Sequence, residues 1–326
     1  MMNGLAHGVI APVFTVFHDD GALDDKGQCH LLDALMETKS ITAYFLRSGL
    51  GQMYTFSYED VVQITKNACA HLAGKAPVYI GAAGIWNRNW DRRPDPEVYT
   101  RQAVAFSKLA EDEGASAVVH TMPEAILPRE GQTPEDVSIE YFERISNATK
   151  LPIYLYQPPG TEQRFRVTPD LVRRLADVPR VKGLKLSTTD AEYFFNVTWA
   201  IQDKEFVSIS GAETAFYPAL CCGAKAVIGQ GACISPRVLK TIQERFDRGD
   251  YAGAMEAQRS ANLLVERIAN AVEFFKRYLN EKGYPMSPFT RPVTDNPYWK
   301  SAHPLTDDDY HAYKPILEAE LARYVD

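Results

Sequence analysis

Eight short apolar runs recur along most of the chain, separated by longer amphipathic stretches, and this repeat limits the fold more than any other feature. The runs lie at 9–17, 41–46, 77–83, 115–120, 151–156, 181–186, 206–210 and 224–229. They are rich in β-branched and aromatic residues and bounded by glycine, proline or polar residues, as expected of parallel strands buried on both faces. The stretches between them open with helix-capping chemistry. Ser57, Thr133, Thr168 and Ser235 stand at candidate N-caps, and proline follows each of the last three, where a missing N–H costs nothing. Asp60 and Asp136 sit three residues beyond Ser57 and Thr133, the spacing of a capping box. Eight strands each followed by a helix predict an α/β chain closed as a (β/α)8 TIM barrel over residues 1–249. A doubly wound open sheet would leave the eightfold repeat as coincidence. Residues 250–326 carry two helical patterns around a proline-rich polar loop (285–305), which predicts a helical C-terminal subdomain.

Composition narrows the function. With 45% hydrophobic and 24% charged residues, the 326-residue chain can bury a full core. A net charge of −7 without basic clusters argues against a nucleic-acid partner. No run approaches the roughly 20 apolar residues that span a bilayer. The start lacks the basic and apolar regions of a secretory leader, and the five cysteines form no C-x-x-C pair, so reduced thiols in a cytoplasmic protein are expected. The seven histidines show no metal-ligand spacing, so a zinc site has little support, and a lysine imine of the kind considered below would need neither a metal nor an organic cofactor.

Active sites of such barrels lie at the C-terminal ends of the strands. In the sixth run, alternation places Val181, Gly183 and Lys185 on one face and Lys182, Leu184 and Leu186 on the other. The leucines suit the helix layer, which turns Lys185 inward above the small Gly183. A lysine buried there would have its pKa depressed and could form an imine with a carbonyl. The opposite parity, with Lys185 reaching solvent at a strand end, fits the pattern equally well. In the fifth run Tyr154 and Tyr156 share a face, and Tyr156 lies at the strand end, about 5 Å from the neighbouring strand. It is either a proton relay or a packing aromatic. Tyr154 lies deeper, as a layer filler. After the second run, Ser48, Gly49, Leu50 and Gly51 form a glycine turn whose backbone N–H groups could hold a carboxylate.

These residues bring out a resemblance to the dihydrodipicolinate synthase/N-acetylneuraminate lyase family of class I pyruvate-dependent aldolases, over roughly residues 8 to 280. Gly8 to Ala11 with Thr15 and Phe17, Ser48 to Gln52, Leu151 to Pro159 with its tyrosine strand, and Gly183-Leu184-Lys185 are similar to the family's motifs. Ser210-Gly211 and Gly223-Ala224 with Ile228 resemble its seventh and eighth strands. The resemblance implies that Lys185 is the Schiff-base lysine and Tyr156 the proton-relay tyrosine. Ser48, Gly49, Leu50 and Gly51 would bind the carboxylate of a 2-oxo acid, with Gly211 and Ile228 in the substrate pocket. It also implies a homo-oligomer, dimer or tetramer.

Four departures shape the expected activity. Leu50 stands where the family carries a hydroxyl residue, and Gln52 replaces its glutamate. Thr121 to Ala125 lacks the synthases' tyrosine, and Pro158 to Glu162 lacks their arginine. Dihydrodipicolinate synthesis proper is therefore the weaker alternative. The expected activity is a lyase making or cleaving a C–C bond next to a 2-oxo acid, on a hydroxylated or sugar-acid-like substrate. A 2-keto-3-deoxy sugar-acid dehydratase would use the same imine, and a non-catalytic 2-oxo-acid-binding barrel is the reading from another class. A long loop after the third run carries Trp86, Arg88, Trp90, Arg92 and Arg93. Arg88 and Arg92 are candidate contacts for a second carboxylate, and a solvated loop or subunit contact is the other reading.

Overall fold

A computed structural model describes residues 5–292 and 303–324. The eight runs become eight strands: β1 (Gly8–Pro12), β2 (Ala43–Leu46), β3 (Val78–Gly81), β4 (Ala117–Thr121), β5 (Ile153–Gln157), β6 (Val181–Leu186), β7 (Val207–Ser210) and β8 (Ala226–Val227). They pair in parallel in sequence order, and β8 returns to β1 to close the barrel. This is the expected (β/α)8 TIM barrel. The eighth run keeps only two paired residues, although Ile228 N–H extends the ladder by donating to Ser210 O at 2.8 Å.

A helix follows each strand, and the capping chemistry explains where several begin. Ser57 and Thr133 complete capping boxes with Asp60 and Asp136, and Thr168 accepts from Leu171 N–H. Ser235 stands at the predicted N-cap of Pro236–Asp247, but its hydroxyl makes no cap bond. Its ψ of 53° departs from the extended backbone of the three working caps.

Two layers of core result. The inner cluster includes Ile10, Phe45, Tyr79, Tyr154, Tyr156 and Ile209, and the outer one joins the other strand face to the helices. Tyr154 stacks on Tyr79 (5.3 Å between centroids), and its hydroxyl accepts from Ala6 N–H. One parity assignment needs correction. Val181 packs in the outer cluster, not on the face of Gly183 and Lys185. The β5–β6 register slips between Ile153↔Val181 and Tyr154↔Gly183, so Lys182 is an extra residue that resets the alternation.

After Gly249 the chain forms the helices Tyr251–Arg267, Ala271–Glu281 and Asp307–Ala322. The first packs on Pro236–Asp247. The first of the two helical patterns, ahead of the polar loop, is thus two helices, because Asn270 starts a second one by accepting from Glu273 N–H. Of the polar loop at 285–305, residues 293–302 lie outside the described residues. Among the described residues, no helix is long and apolar enough to cross a membrane.

The caps are separable by mutation. Thr133→Ala should lower the unfolding free energy by about 1 kcal/mol in urea denaturation. Ser235→Ala should cost less than half as much, because no cap bond is lost. Equal losses would show that the hydroxyl geometry does not set these helix starts.

Candidate active site

Lys185 and Tyr156 are the next-to-last residues of β6 and β5 and are paired in register. Lys185 Nζ lies 4.2 Å from the Tyr156 ring centroid. The lysine is only 4% exposed, which decides its chemistry. Burial pushes the amine down to about 7, and the charge of Glu213 opposes part of that shift. Near neutral pH, roughly half of such amines are uncharged and nucleophilic. Gly183 makes room below. A Cβ there would come within 2.7 Å of Val207 Cγ2 and 2.8 Å of Tyr154 Cδ1.

Lys185 opens into a cavity of about 500 Å³ that Leu50, Gly211 and Ile228 also line. Three residues that sequence reasoning passed over, Glu213, Ser187 and Val265, also line it. Glu213 is the lining carboxylate, buried two residues beyond Gly211, with Oε1 accepting from Gly231 N–H at 3.1 Å. Its pKa is raised by burial against the pull of backbone N–H groups and Lys185. Ser187 follows β6 directly, and Val265 reaches the cavity from the helix Tyr251–Arg267. An acid just past a strand-end glycine was a readable signal for Glu213, whereas nothing local marks Val265.

The Ser48–Gly51 turn is built differently from the expectation. Ser48 Oγ accepts from Gly51 N–H at 2.9 Å, and Thr15 Oγ1 donates to Gly51 O at 2.6 Å. The Gly51 amide is committed to Ser48 Oγ, the Ser48 hydroxyl in turn donates to Val13 O at 3.5 Å, and these bonds hold the turn's shape. Gly51 is required there, since a Cβ would lie 2.7 Å from Val13 O. Among the four turn residues Leu50 is the one lining the cavity, while Ser48, Gly49 and Gly51 are absent from its wall. Gln52, with φ of 62°, exchanges bonds of 2.6 and 3.2 Å with the Arg291 backbone and ties the turn to the C-terminal segment.

The arginine loop also departs from expectation. Arg88 is buried and paired with buried Glu124 at 3.2 Å, and it donates to Pro159 O and Gly160 O. Arg93 pairs with Glu162 at 2.8 Å and donates to Glu124 O. Arg92 is exposed, and neither it nor Arg88 lines the cavity. The guanidinium groups are drawn to protein acceptors because a buried charge must be paired where it lies. Pro159 and Gly160 do form part of the cavity wall, so Arg88 touches the site through the backbone that it holds. Among the described residues, no His/Cys/Asp/Glu cluster is arranged to hold a metal.

A model of the dihydrodipicolinate synthetase family matches residues 5–298. The chain belongs to this family. Its members here are lyases of the pyruvate-dependent class I aldolase type, and this family member is a lyase. It is 27% identical over 249 residues to a 4-hydroxy-tetrahydrodipicolinate synthase of Archaeoglobus fulgidus, covering 76% of this chain and 78% of that one. It is 27% identical over 304 residues to a probable 5-dehydro-4-deoxyglucarate dehydratase of Streptomyces coelicolor, covering 90% and 86%. YagE of Escherichia coli, a putative 2-dehydro-3-deoxy-D-gluconate aldolase, is 26% identical over 255 residues, covering 77% and 78%. The crystal structure of YagE in complex with pyruvate matches the fold with a TM-score of 0.80 at 23% identity, covering 98% of this chain and all of that one.

Two outcomes follow from the site's electrostatics. The rate of imine formation with saturating pyruvate should rise with pH to a plateau, with a midpoint near the depressed amine value of about 7. The sign follows from the neutral amine being the nucleophile. A midpoint near the ordinary lysine value would remove burial as the activating cause. Separately, Arg88→Ala should destabilise the fold by about 3–5 kcal/mol by stranding buried Glu124, whereas Arg92→Ala should stay within about 0.5 kcal/mol. Comparable losses in thermal denaturation would contradict the pairing.

Proposed function

We propose that the protein is a Schiff-base lyase in which Lys185 attacks C2 of a 2-oxo acid bearing a hydroxylated, sugar-acid-like chain. The observation that carries this reading is the buried Lys185 amine, poised near neutrality, in register with Tyr156. The amine adds to the carbonyl carbon, the carbonyl oxygen leaves as water, and Tyr156 relays the protons. The protonated imine is then the electron sink. When the C3–C4 bond breaks, its electron pair passes to C3 as an enamine. The C4 hydroxyl proton goes to an acceptor and an aldehyde departs. Protonation at C3 and hydrolysis return the free amine and release pyruvate or a related 2-oxo acid. The reverse order would join the same fragments.

The same imine supports a second reaction, loss of a C3 proton and of the C4 hydroxyl as water. The long match to a probable 5-dehydro-4-deoxyglucarate dehydratase favours keeping this reading. Both reactions call for a substrate that brings its own hydroxyl groups, in keeping with the leucine at position 50.

Borohydride with pyruvate should add one reduced adduct per chain, on Lys185, read by intact mass and peptide mapping. Lys185→Arg should abolish it, because a guanidinium stays charged. Tyr156→Phe should retain the fold and slow adduct formation by about 10²- to 10⁴-fold. Labelling of a different lysine would sink the mechanism, and a Tyr156→Phe loss below tenfold would reduce the tyrosine to packing.

A further inference from the structure

Beyond the helix Ala271–Glu281 the chain runs back over the loops that follow β1 and β2, and it is fastened along the way. Asn280 exchanges bonds of 2.6 and 2.7 Å with the Met286 backbone. His30 Nδ1 and Pro285 O lie 2.8 Å apart, and Ser287 Oγ donates to Asp19 Oδ1 at 2.6 Å. The buried amine of Lys276 donates to Phe289 O at 2.8 Å. These bonds deliver Arg291 to the rim of the barrel, where it touches both loops at once. Its Nε donates to Gly21 O at 2.7 Å, in the loop after β1, and its Nη1 to Thr55 O at 3.0 Å, just past the turn after β2. A fork of bonds at 2.6 and 3.1 Å grips Asp60 in the first turn of the helix Tyr58–Leu72. The guanidinium also lies on the Phe17 ring, 4.5 Å from its centroid, which fixes its direction.

With its side chain committed in this way, Arg291 offers a fixed backbone to Gln52. The Gln52 amide donates to Arg291 O and accepts from Arg291 N–H. Gln52 is 1% exposed and left-handed, a backbone state that a residue with a Cβ keeps only where its surroundings hold it. It is also where the turn closes. Gln52 N–H donates to Gly49 O at 3.1 Å, and Gln52 O accepts from Thr55 N–H at 2.9 Å. Leu50, which lines the cavity of Lys185, lies between Gly49 and Gln52 within this closed turn. The position of one cavity wall is therefore tied to a residue that comes from the C-terminal segment, 239 residues further along the chain.

We infer that Arg291 is a positioning residue for 2-oxo acid binding: its guanidinium fixes the C-terminal segment to the loops after β1 and β2, and the fixed segment holds, through Gln52, the turn that presents Leu50 to the cavity. This rests on the Schiff-base reading of Lys185. Arg291 stands outside the cavity lining and acts on affinity, not on the imine chemistry. The reason is geometric. Lys185 and Tyr156 belong to β6 and β5, across the closed barrel from β2 and β1, and burial and register on that side set the amine and its partner. Loosening the turn after β2 enlarges or deforms the wall opposite them and leaves the nucleophile as it was.

The experiment titrates the full chain with pyruvate in the presence of cyanoborohydride and follows Lys185 labelling by intact mass, which separates half-saturation from the maximal labelling rate. In Arg291→Ala the half-saturating pyruvate concentration should rise by about tenfold or more while the maximal rate stays within about threefold. Arg291→Lys should fall between, because an ammonium can meet Asp60 but cannot also span Gly21 O and Thr55 O. Gln52→Ala should raise half-saturation as Arg291→Ala does, and combining the two should add less than about twofold, since both act through one turn. Arg323→Ala is the control. It removes the pairs with Glu256 and Glu320 that fasten the last helix, without reaching the turn, and should leave half-saturation within about twofold. A merely structural role for Arg291 would lower the fraction of protein that can be labelled and leave half-saturation unchanged, which would overturn the inference. An equal rise in Arg323→Ala, or effects of Arg291→Ala and Gln52→Ala that multiply, would overturn it too. If Arg291→Ala does not fold, Arg291→Lys and Gln52→Ala decide, and unchanged half-saturation in both rejects the inference. In each of these cases labelled Lys185 leaves the imine reading standing. If pyruvate labels nothing on the wild-type protein, the imine reading itself has failed and the inference falls with it.

Discussion

The pairing of β5 with β6 is the constraint on which the site depends. Tyr156 and Lys185 face each other because the register places Tyr156 opposite Lys185 after one slip lower in the sheet. A one-residue change at that slip would turn the lysine into the helix layer and the leucines into the barrel. Closure does the rest. A barrel has no edge through which water reaches its interior, so an amine facing inward loses solvation and its pKa falls. Packing below the lysine is equally determined, since Gly183 is the residue that Val207 and Tyr154 leave room for. The lowered amine pKa of Lys185 follows from backbone geometry and burial, and Glu213 moderates it.

Around this centre the rim is stiffened by charges that serve the protein more directly than the substrate. Glu124 accepts from Arg88 and from Glu162 N–H, and its own carbonyl accepts from Arg93. This links the loops after β3, β4 and β5 into one network. Buried ion pairs have a large desolvation cost, and such a network offsets it by satisfying several donors at once. Arg88 also grips the carbonyls of Pro159 and Gly160, so the cavity wall inherits that rigidity. On the other side, Gln52 and Asp60 hold Arg291, which anchors the described C-terminal segment against the turn after β2.

Much of this was legible in the residues, for identifiable reasons. Strand runs and caps are local, and Thr133 with Asp136 or Thr168 with Leu171 act within one helical turn. Alternation and strand-end position, also local, drew notice to Lys185 and Tyr156, and the family resemblance chose between the readings that the pattern left open. What went astray depended on long-range partners. Ser48 was expected to meet a ligand; its hydroxyl accepts from Gly51 N–H, and it does not line the cavity. Arg88 was expected at the substrate, yet its partner Glu124 comes from a loop 36 residues further along the chain. Val265 enters the cavity from a helix that the sequence pattern assigned to a separate subdomain.

The sequence by itself determined the barrel and its strand order, because periodicity and caps act over short stretches of chain, whereas it singled out Lys185 and Tyr156 only with the family resemblance added, since alternation alone left their facing open. Only the tertiary structure decided which charged groups remain available to a substrate. Arg88, Arg93, Glu124 and Glu162 neutralise one another across three loops, and Glu213 is left facing the cavity with Lys185. Charge pairing is a property of distance in space, and residues far apart in sequence acquire that distance only when the barrel closes.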